Sequence, residues 1–366
     1  MVELKSGNDT LQVSVFEQLE QMGHEQLVFC HDTSTGLKAI IGIHNTVLGP
    51  ALGGTRMWSY TNESDAIRDV LRLSRGMTFK NAVAGLNLGG GKAVIIGNAR
   101  KDKSEALLRR FGKFVESLNG KYITAEDVGM QTIDIEYMAM ETKHVTGKPE
   151  SMGGSGDPSP FTALGTYMGI KASAQKAYGN DSLANKKIAI QGVGNVGEHL
   201  IGHLSKENCK IFVTDIYEDR IKAVASKYKV EVVRPDDIYG LDVDIYAPCA
   251  LGATVNDQTL SQLKAQIIAG CANNQLLDEK KHGNECLKRG IIYAPDFLIN
   301  AGGVINVYRE YQNLDRAWAV QKTEALYDAT LQVLNTSFAE NRNAQEVAIQ
   351  NALKRIEAVA KIKTVR

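Results

Sequence analysis

A glycine run with a strand before it and a helix after it constrains this chain more than any other feature. Gly192-Val-Gly194-Asn195-Val196-Gly197 follows the apolar segment Ile188-Ala-Ile190 and opens a helical stretch from Val196 to Leu204. This is the fingerprint of a dinucleotide-binding βαβ unit, and each glycine has its own task. Gly192 permits a tight turn, Gly194 lets backbone approach a pyrophosphate, and Gly197 brings helix against strand. The N-terminus of the helix then offers N–H groups and the positive end of its dipole to the phosphates. Asp215 follows about 20 residues on, where an acid takes ribose hydroxyls and repels a 2′-phosphate. No Arg comes directly after it, so NAD is favoured over NADP, with Arg220 the one residue that argues the other way.

Around the fingerprint, strands are predicted at Lys187–Gln191, Lys210–Asp215, Val230–Val233, Asp244–Ala247, Gln266–Ala269 and Gly290–Ala294, with helices between most of them. Such alternation builds a parallel sheet covered by helices. The chain upstream is α/β as well. A helix is expected over residues 10–23, then strands at Leu27–Cys30 and Leu37–Ile43 flanking the turn Asp32–Gly36. Ser64-Asp65 caps a helix with Ile67, Val70, Leu71 and Met77 on its apolar face, and Ser104 caps another bearing Leu107, Phe111, Phe114, Val115 and Leu118. Between them Ala93–Ile96 reads as a buried strand. Tyr122–Ala125 reads as a second, with Glu126-Asp127 at its end. Ser151–Pro160, rich in Gly, Ser and Pro, is the best linker candidate. A length of 366 residues exceeds one typical core. We therefore expect an N-terminal α/β domain over 1–150, a Rossmann-type domain over 151–330 and C-terminal helices over 331–366.

Lys+Arg and Asp+Glu both total 42, so no global field draws the chain to nucleic acid or to an anionic membrane. Five widely spread cysteines without a CxxC pair read as free thiols in a reducing compartment. The first residues lack a basic region followed by an apolar stretch, and no run approaches the ~20 apolar residues of a membrane helix. A cytoplasmic protein is expected. Without HExxH or a Cys/His cluster, no metal site is expected either. His199 and His203 share a helix face with no acid between them and read as packing or surface residues, as do His31, His44 and His144.

Lys80 and Lys92 are the candidate chemical groups, the second directly after Gly89-Gly90-Gly91. Glycine weakens regular structure, and close backbone approach to a ligand is one reason to accept it there. One ammonium can hold a carboxylate as a point charge, a second can act on a carbonyl or bound water, and Asp127 can shuttle protons. On spacing alone, solvated lysines and a capping acid are the favoured reading of these positions.

Further runs narrow this. Gly49-Pro-Ala-Leu-Gly-Gly-Thr-Arg-Met57, Gly76-Met-Thr-Phe-Lys-Asn81, Gly85-Leu-Asn-Leu-Gly-Gly-Gly-Lys92 and Thr124-Ala-Glu-Asp-Val-Gly129 come in order. Pro160-Phe-Thr-Ala163, Tyr246-Ala-Pro-Cys-Ala-Leu-Gly252, Ala272-Asn-Asn274 and Asn300-Ala-Gly-Gly-Val304 continue them. On these runs nearly the whole chain resembles the amino-acid dehydrogenases of glutamate, leucine, valine and phenylalanine, their leucine-type branch most nearly. The resemblance implies reversible oxidative deamination: hydride passes from the α-carbon to NAD, and water releases a 2-oxo acid and ammonia. By the same resemblance Lys80 would bind the α-carboxylate, Lys92 would move protons through water, and Asp127 would complete the catalytic set. Thr162, Cys249, Ala250, Asn274 and Asn300 would lie near the nicotinamide. The first domain would bind substrate, the C-terminal helices would return to it, a cleft between the domains would close over the reactants, and the chain would form a homo-oligomer, an octamer. Where the glutamate enzymes carry a lysine before a Gly-Gly pair, this chain has Leu52 before Gly53; where they carry a serine, it has Val307. Leu52, Gly53, Met77, Ala125, Val304 and Val307, with Thr146 close by, would line an apolar pocket. Branched-chain substrates are then expected and glutamate rejected, since a buried carboxylate without a partner costs several kcal/mol. A valine or phenylalanine dehydrogenase, or a non-catalytic NAD-binding oligomer, are the alternatives.

Overall fold

Residues 14–250 and 252–364 are described in the computed structural model, so the expected start of the first helix and the N-terminal residues read for a leader lie outside them. The chain divides into two units, one of Met1–Thr78 with Leu88–Val145, the other of Phe79–Asn87 with Thr146–Arg366.

The first unit carries α1 (Val15–Met22), β1 (Gln26–Asp32), β2 (Leu37–Asn45), β3 (Ala51–Leu52), β4 (Thr55–Trp58), most of α2 (Glu63–Val83), β5 (Gly89–Ile96), α3 (Glu105–Ser117), β6 (Tyr122–Ile123) and α4 (Thr132–Ala139). Its sheet runs β1-β2-β5-β3-β6, with β4 also alongside β5. β1 and β2 form the expected hairpin because Asp32 accepts from Ser34 Oγ and Thr35 N and Gly36 takes a left-handed φ of 73°. Ser104 caps α3 by accepting from Leu107 N, and Leu107, Phe111 and Val115 go into the core as expected. One expectation shifts. The strand expected at Ala93–Ile96 begins earlier, and the glycine run lies inside it. A Cβ on Gly90 would sit 2.0 Å from Thr78 Oγ1, one on Gly89 1.9 Å from the Asn45 carbonyl oxygen, and one on Gly91 2.7 Å from the Tyr122 ring. These glycines let α2 and neighbouring backbone approach β5; the backbone they admit is the protein's own.

α2 is also held by a histidine pair. His24 and His44 meet edge to face at 4.7 Å. His44 Nδ1 pairs with Thr78 Oγ1 at 2.7 Å and His24 Nε2 with Ser74 Oγ at 2.8 Å, both hydroxyls on α2. Burial pushes both imidazoles down to about 4, and for His24 the neighbouring His44 adds to the effect. Above pH 6.5 the rings are neutral whether the chain is folded or not. Between about 6.5 and 4 the unfolded chain binds protons that the folded one refuses, so stability falls through that window and levels off below it. The expected loss is up to about 3 kcal/mol per ring. Urea midpoints from pH 7 to 4 measure it, and a double His24→Gln, His44→Gln variant should flatten the profile. An equally steep profile in that variant would sink the assignment.

The second unit continues with α5 (Ser159–Tyr178), β7 (Lys187–Gln191), α6 (Asn195–Leu204), β8 (Lys210–Thr214), α7 (Glu218–Lys227), β9 (Glu231–Val232), β10 (Ile245–Pro248), α8 (Asp257–Gln262), β11 (Ile267–Ile268), α9 (Glu279–Lys288) and β12 (Ile292–Tyr293). It ends in the helices α10 (Asp296–Ile299), α11 (Gly302–Tyr311), α12 (Arg316–Glu324), α13 (Leu326–Glu340) and α14 (Ala344–Thr364). All six strands are parallel, in the order β12-β11-β10-β7-β8-β9. The order reverses between β7 and β10, which is where doubly wound sheets bind ligands. α14 also holds the segment 79–87: Arg355 donates to the carbonyls of Ala82 and Leu86 and to Asn87 Oδ1. The linker candidate is tethered, because Gly147 N, Ser155 N and Ser155 Oγ all donate to Glu310 Oε2 at 2.8 Å.

Candidate active site

In the first unit, two cationic side chains meet on one carboxylate. Lys92 follows the glycine run in β5 and is only 5% exposed. Its Nζ lies 2.8 Å from Asp127 Oδ2, and Arg56 Nε, from β4, donates to the same oxygen at 3.0 Å. Arg56 also donates to Asp69 Oδ2 at 3.0 Å, which accepts from Tyr60 OH at 2.6 Å as well. Burial by itself would raise the Asp127 carboxyl, but the Lys92 ammonium and the Arg56 guanidinium overcome it and hold the group below the usual carboxylate range. An ammonium and a carboxylate thus face each other largely out of water, with a guanidinium on the same carboxylate oxygen. That arrangement can pass a proton and return it.

The pocket candidates of this unit lie together. Leu52 is buried at the end of β3, beside Gly53. Tyr122 OH donates to the Gly53 carbonyl at 2.6 Å, Met77 Cγ lies 3.3 Å from where a Cβ on Gly53 would stand, and Thr55 N donates to the Ala125 carbonyl at 2.8 Å.

In the second unit, the fingerprint turns from β7 into α6. Gly192 has a φ of 104°, and a Cβ there would strike Ala250 at 2.7 Å. A Cβ on Gly197 would lie 2.2 Å from the Gly192 carbonyl oxygen. Both glycines are therefore demanded by the protein's own packing. Gly194 is different: within 4 Å of its Cβ position there is only Arg220 NH1, at 3.6 Å. Asn195 and Val196 open α6 with their N–H groups in its first turn. Asp215 accepts from Val193 N at 2.8 Å and Tyr217 N at 3.0 Å, so it also braces the turn. On α6, His203 stacks on Tyr167 at 5.1 Å, a packing contact.

Lys80 lies in the last turn of α2, and its ammonium donates to Asn273 Oδ1 at 3.0 Å. Asn300 Nδ2 donates to that same oxygen at 2.8 Å and to the Cys271 carbonyl at 3.1 Å. The nearby Asp296 carboxyl is raised by burial, against the N–H groups of Gln275 and Phe297 and the Lys80 charge. Thr162 donates to the Pro158 carbonyl at 3.0 Å, and its Oγ1 lies 2.5 Å from the Cβ position of Gly303, next to Val304. Val304 and Val307 are buried on α11, and Thr146 precedes the Gly147 that α11 holds through Glu310. The asparagine joining Lys80 to Asn300 is Asn273; Asn274, beside it, is exposed with a left-handed φ of 53°. Sequence reasoning had passed over Arg56, Asn273 and Cys271. Arg56 stood within the Gly53-Gly54-Thr-Arg56 run, and Asn273 within Ala272-Asn-Asn274, but no signal in either run pointed to a partner.

Two observations suit a bound dinucleotide. The space before Gly194 is open, with a cation at its rim. Asn300 Oδ1 is buried and has no hydrogen-bond partner among the described residues, an unmet acceptor of the kind a carboxamide N–H satisfies.

Residues 24–144 match the Glu/Leu/Phe/Val dehydrogenase dimerisation domain, and 153–217 with 212–366 match the glutamate/leucine/phenylalanine/valine dehydrogenase domain. Leucine dehydrogenase of Bacillus cereus is 55% identical over 325 residues, 89% of this chain and 88% of that protein. The crystal structure of L-tryptophan dehydrogenase from Nostoc punctiforme superposes with a TM-score of 0.82 at 42% identity, covering 95% of this chain and 99% of that one. The hetero-hexameric glutamate dehydrogenase of Thermus thermophilus gives 0.79 at 19% identity over 99% and 100% of the two chains, a likeness of fold.

Proposed function

The chain belongs to the Glu/Leu/Phe/Val dehydrogenase family, and from that premise we propose that it is an NAD-dependent leucine dehydrogenase of branched-chain breadth. It is an amino-acid dehydrogenase and so an oxidoreductase that uses a nicotinamide nucleotide; the substrate, the choice of NAD and the residue roles are our assignment. One observation supports the substrate: Leu52 is apolar and 2% exposed beside Gly53, at the position where the resemblance gives the glutamate enzymes a lysine for the side-chain carboxylate.

Lys80 takes the α-carboxylate as a point charge, oriented by Asn273. Lys92 positions water at the α-carbon and exchanges its proton with Asp127. Arg56 holds Asp127 in place. A nicotinamide held there would supply the hydride acceptor. Asn300 would meet the carboxamide with its unmet oxygen, Thr162 would border the same region, and the turn Gly192–Gly197 would hold the phosphates. Asp215 favours an unphosphorylated ribose, while Arg220 beside Gly194 supplies a cation to the pyrophosphate. We assign assembly into a homo-oligomer, an octamer, to the first unit, which matches the dimerisation domain. Among the described residues no helix is long and apolar enough to cross a membrane.

The test is nucleotide reduction at alkaline pH with leucine, isoleucine, valine, phenylalanine, tryptophan and glutamate, each with NAD and NADP. The expected result is turnover of the three aliphatic acids with NAD, within a factor of roughly 10–200 of one another since a methylene is worth ~1–3 kcal/mol, and none with glutamate. An aromatic acid is the second reading, favoured by the likeness to L-tryptophan dehydrogenase; preferred turnover of tryptophan or phenylalanine would establish it. Silence throughout, from folded protein that binds NAD, would leave a nucleotide-binding oligomer.

A further inference from the structure

β10 and β11 run parallel and in register, Ile245 beside Ile267 and Tyr246 beside Ile268. Past the strand ends the ladder slips by one residue, and Cys249 and Cys271 follow on the two neighbouring chains. The backbones stay close there: Ala272 N donates to the Pro248 carbonyl at 3.0 Å, and a Cβ on Gly270 would lie 2.2 Å from that oxygen. Cys271 Sγ is 3.9 Å from the Cys249 carbonyl oxygen, and both residues are free thiols. Adjacent strands stand ~4.7–4.9 Å apart, within the ~4.4–6.8 Å between Cα atoms that a disulfide spans. We propose that Cys249 and Cys271 are a redox modification site, closing to a reversible disulfide when a small-molecule disulfide oxidant is present.

The chemistry is ordinary exchange. Cys249, the half-buried member, attacks oxidised glutathione; its S–S bond breaks, a mixed disulfide forms and one glutathione thiolate leaves. Cys271 then gives up its proton and attacks the Cys249 sulfur, expelling the second glutathione. Two protein thiols are oxidised, one disulfide is reduced, and the two protons end on the two glutathiones. The Cys249 thiol beside it, and then burial, push the Cys271 thiol up, which suits a residue that resolves rather than initiates. Burial pushes Cys30 and Cys286 up to about 12 and Cys209 to about 11, which disfavours them as nucleophiles.

Both ends of the bridge touch the site described above. Ala250, the next residue, packs on Gly192, and the Cys271 carbonyl accepts from the Asn300 amide that also bonds Asn273. Closing the bond pulls on the turn and on that network together. The loss of nucleotide affinity rests on the function proposed above, whereas formation of the bond does not.

The full chain is incubated with oxidised glutathione, remaining thiols are alkylated, and the digest is read by mass spectrometry. A peptide pair joined through Cys249 and Cys271 is expected, reversed by dithiothreitol, and absent in Cys249→Ser and Cys271→Ser. NADH affinity, compared between each protein's own oxidised and reduced forms, should fall about tenfold or more in wild type alone, within the range of coupling between two linked sites. Glutathione retained on Cys249 with Cys271 free, a bridge to another cysteine, or no oxidation overturns the site. A bridge with unchanged NADH affinity overturns the coupling to nucleotide binding. Reduced protein that binds no NADH counts against the proposed function, while the bridge is judged by the peptide alone.

Discussion

Lys92→Ala is expected to lower turnover by ~10³-fold or more while NADH affinity stays within about twofold of wild type, because a positioned proton-transfer group contributes ~10²–10⁴-fold and this one also places the water. The fold should tolerate the change. Removing Lys92 leaves Asp127 bonded to Arg56, so the acid keeps a cationic partner, and the cavity opens next to an ion pair rather than inside an aliphatic core. The fingerprint lies in the other unit, so nucleotide binding serves as an internal control. Lys92→Arg makes a second test. It preserves the charge on Asp127 but replaces a compact ammonium with a guanidinium that does not release its proton, so turnover should remain low. Steady-state kcat and KM, with NADH affinity by fluorescence titration, separate these effects. Turnover close to wild type in Lys92→Ala would remove Lys92 from the mechanism.

Gly53→Ala should be the most damaging small substitution in the first unit. Its Cβ would lie 1.7 Å from the Gly91 carbonyl oxygen and 2.7 Å from the Gly91 carbonyl carbon. Both are backbone atoms of β5, held in a ladder where β3 pairs with it, so no side chain can swing aside. We expect a loss of at least about 3 kcal/mol, the upper end for overpacking. Gly76→Ala is the matched control: it sits inside α2, nothing lies within 4 Å of its Cβ position, and alanine should stabilise by roughly 0.5–1 kcal/mol. Denaturation midpoints of both variants decide it. A Gly53→Ala protein as stable as wild type would mean that β3 and β5 do not approach as closely as described.

What the chain determined by itself is what short-range chemistry controls. The strand Lys187–Gln191, the turn at Gly192 and the helix behind it could be read directly, because backbone sterics at Gly192 and Gly197 leave few alternatives. The Ser104 cap and the stripe on α3 were legible for a similar reason, as partners three and four residues apart share a helix face. Lys80, Lys92 and Asp127 could be named, the last two 35 positions apart, because the order of motifs resembled a family; spacing alone did not separate them from solvated side chains.

Only tertiary structure decided the rest. The run Gly89-Gly90-Gly91 looked like room for a ligand and proved to be room for α2 and neighbouring backbone. Arg56 shares one oxygen of Asp127 with Lys92, Asn273 ties Lys80 to Asn300, and Cys271 Sγ comes to 3.9 Å from the Cys249 carbonyl oxygen. Each of these depends on which strand lies next to which and in what register. Register is set by many weak contacts far apart in the chain, and no local pattern around any one residue carries it.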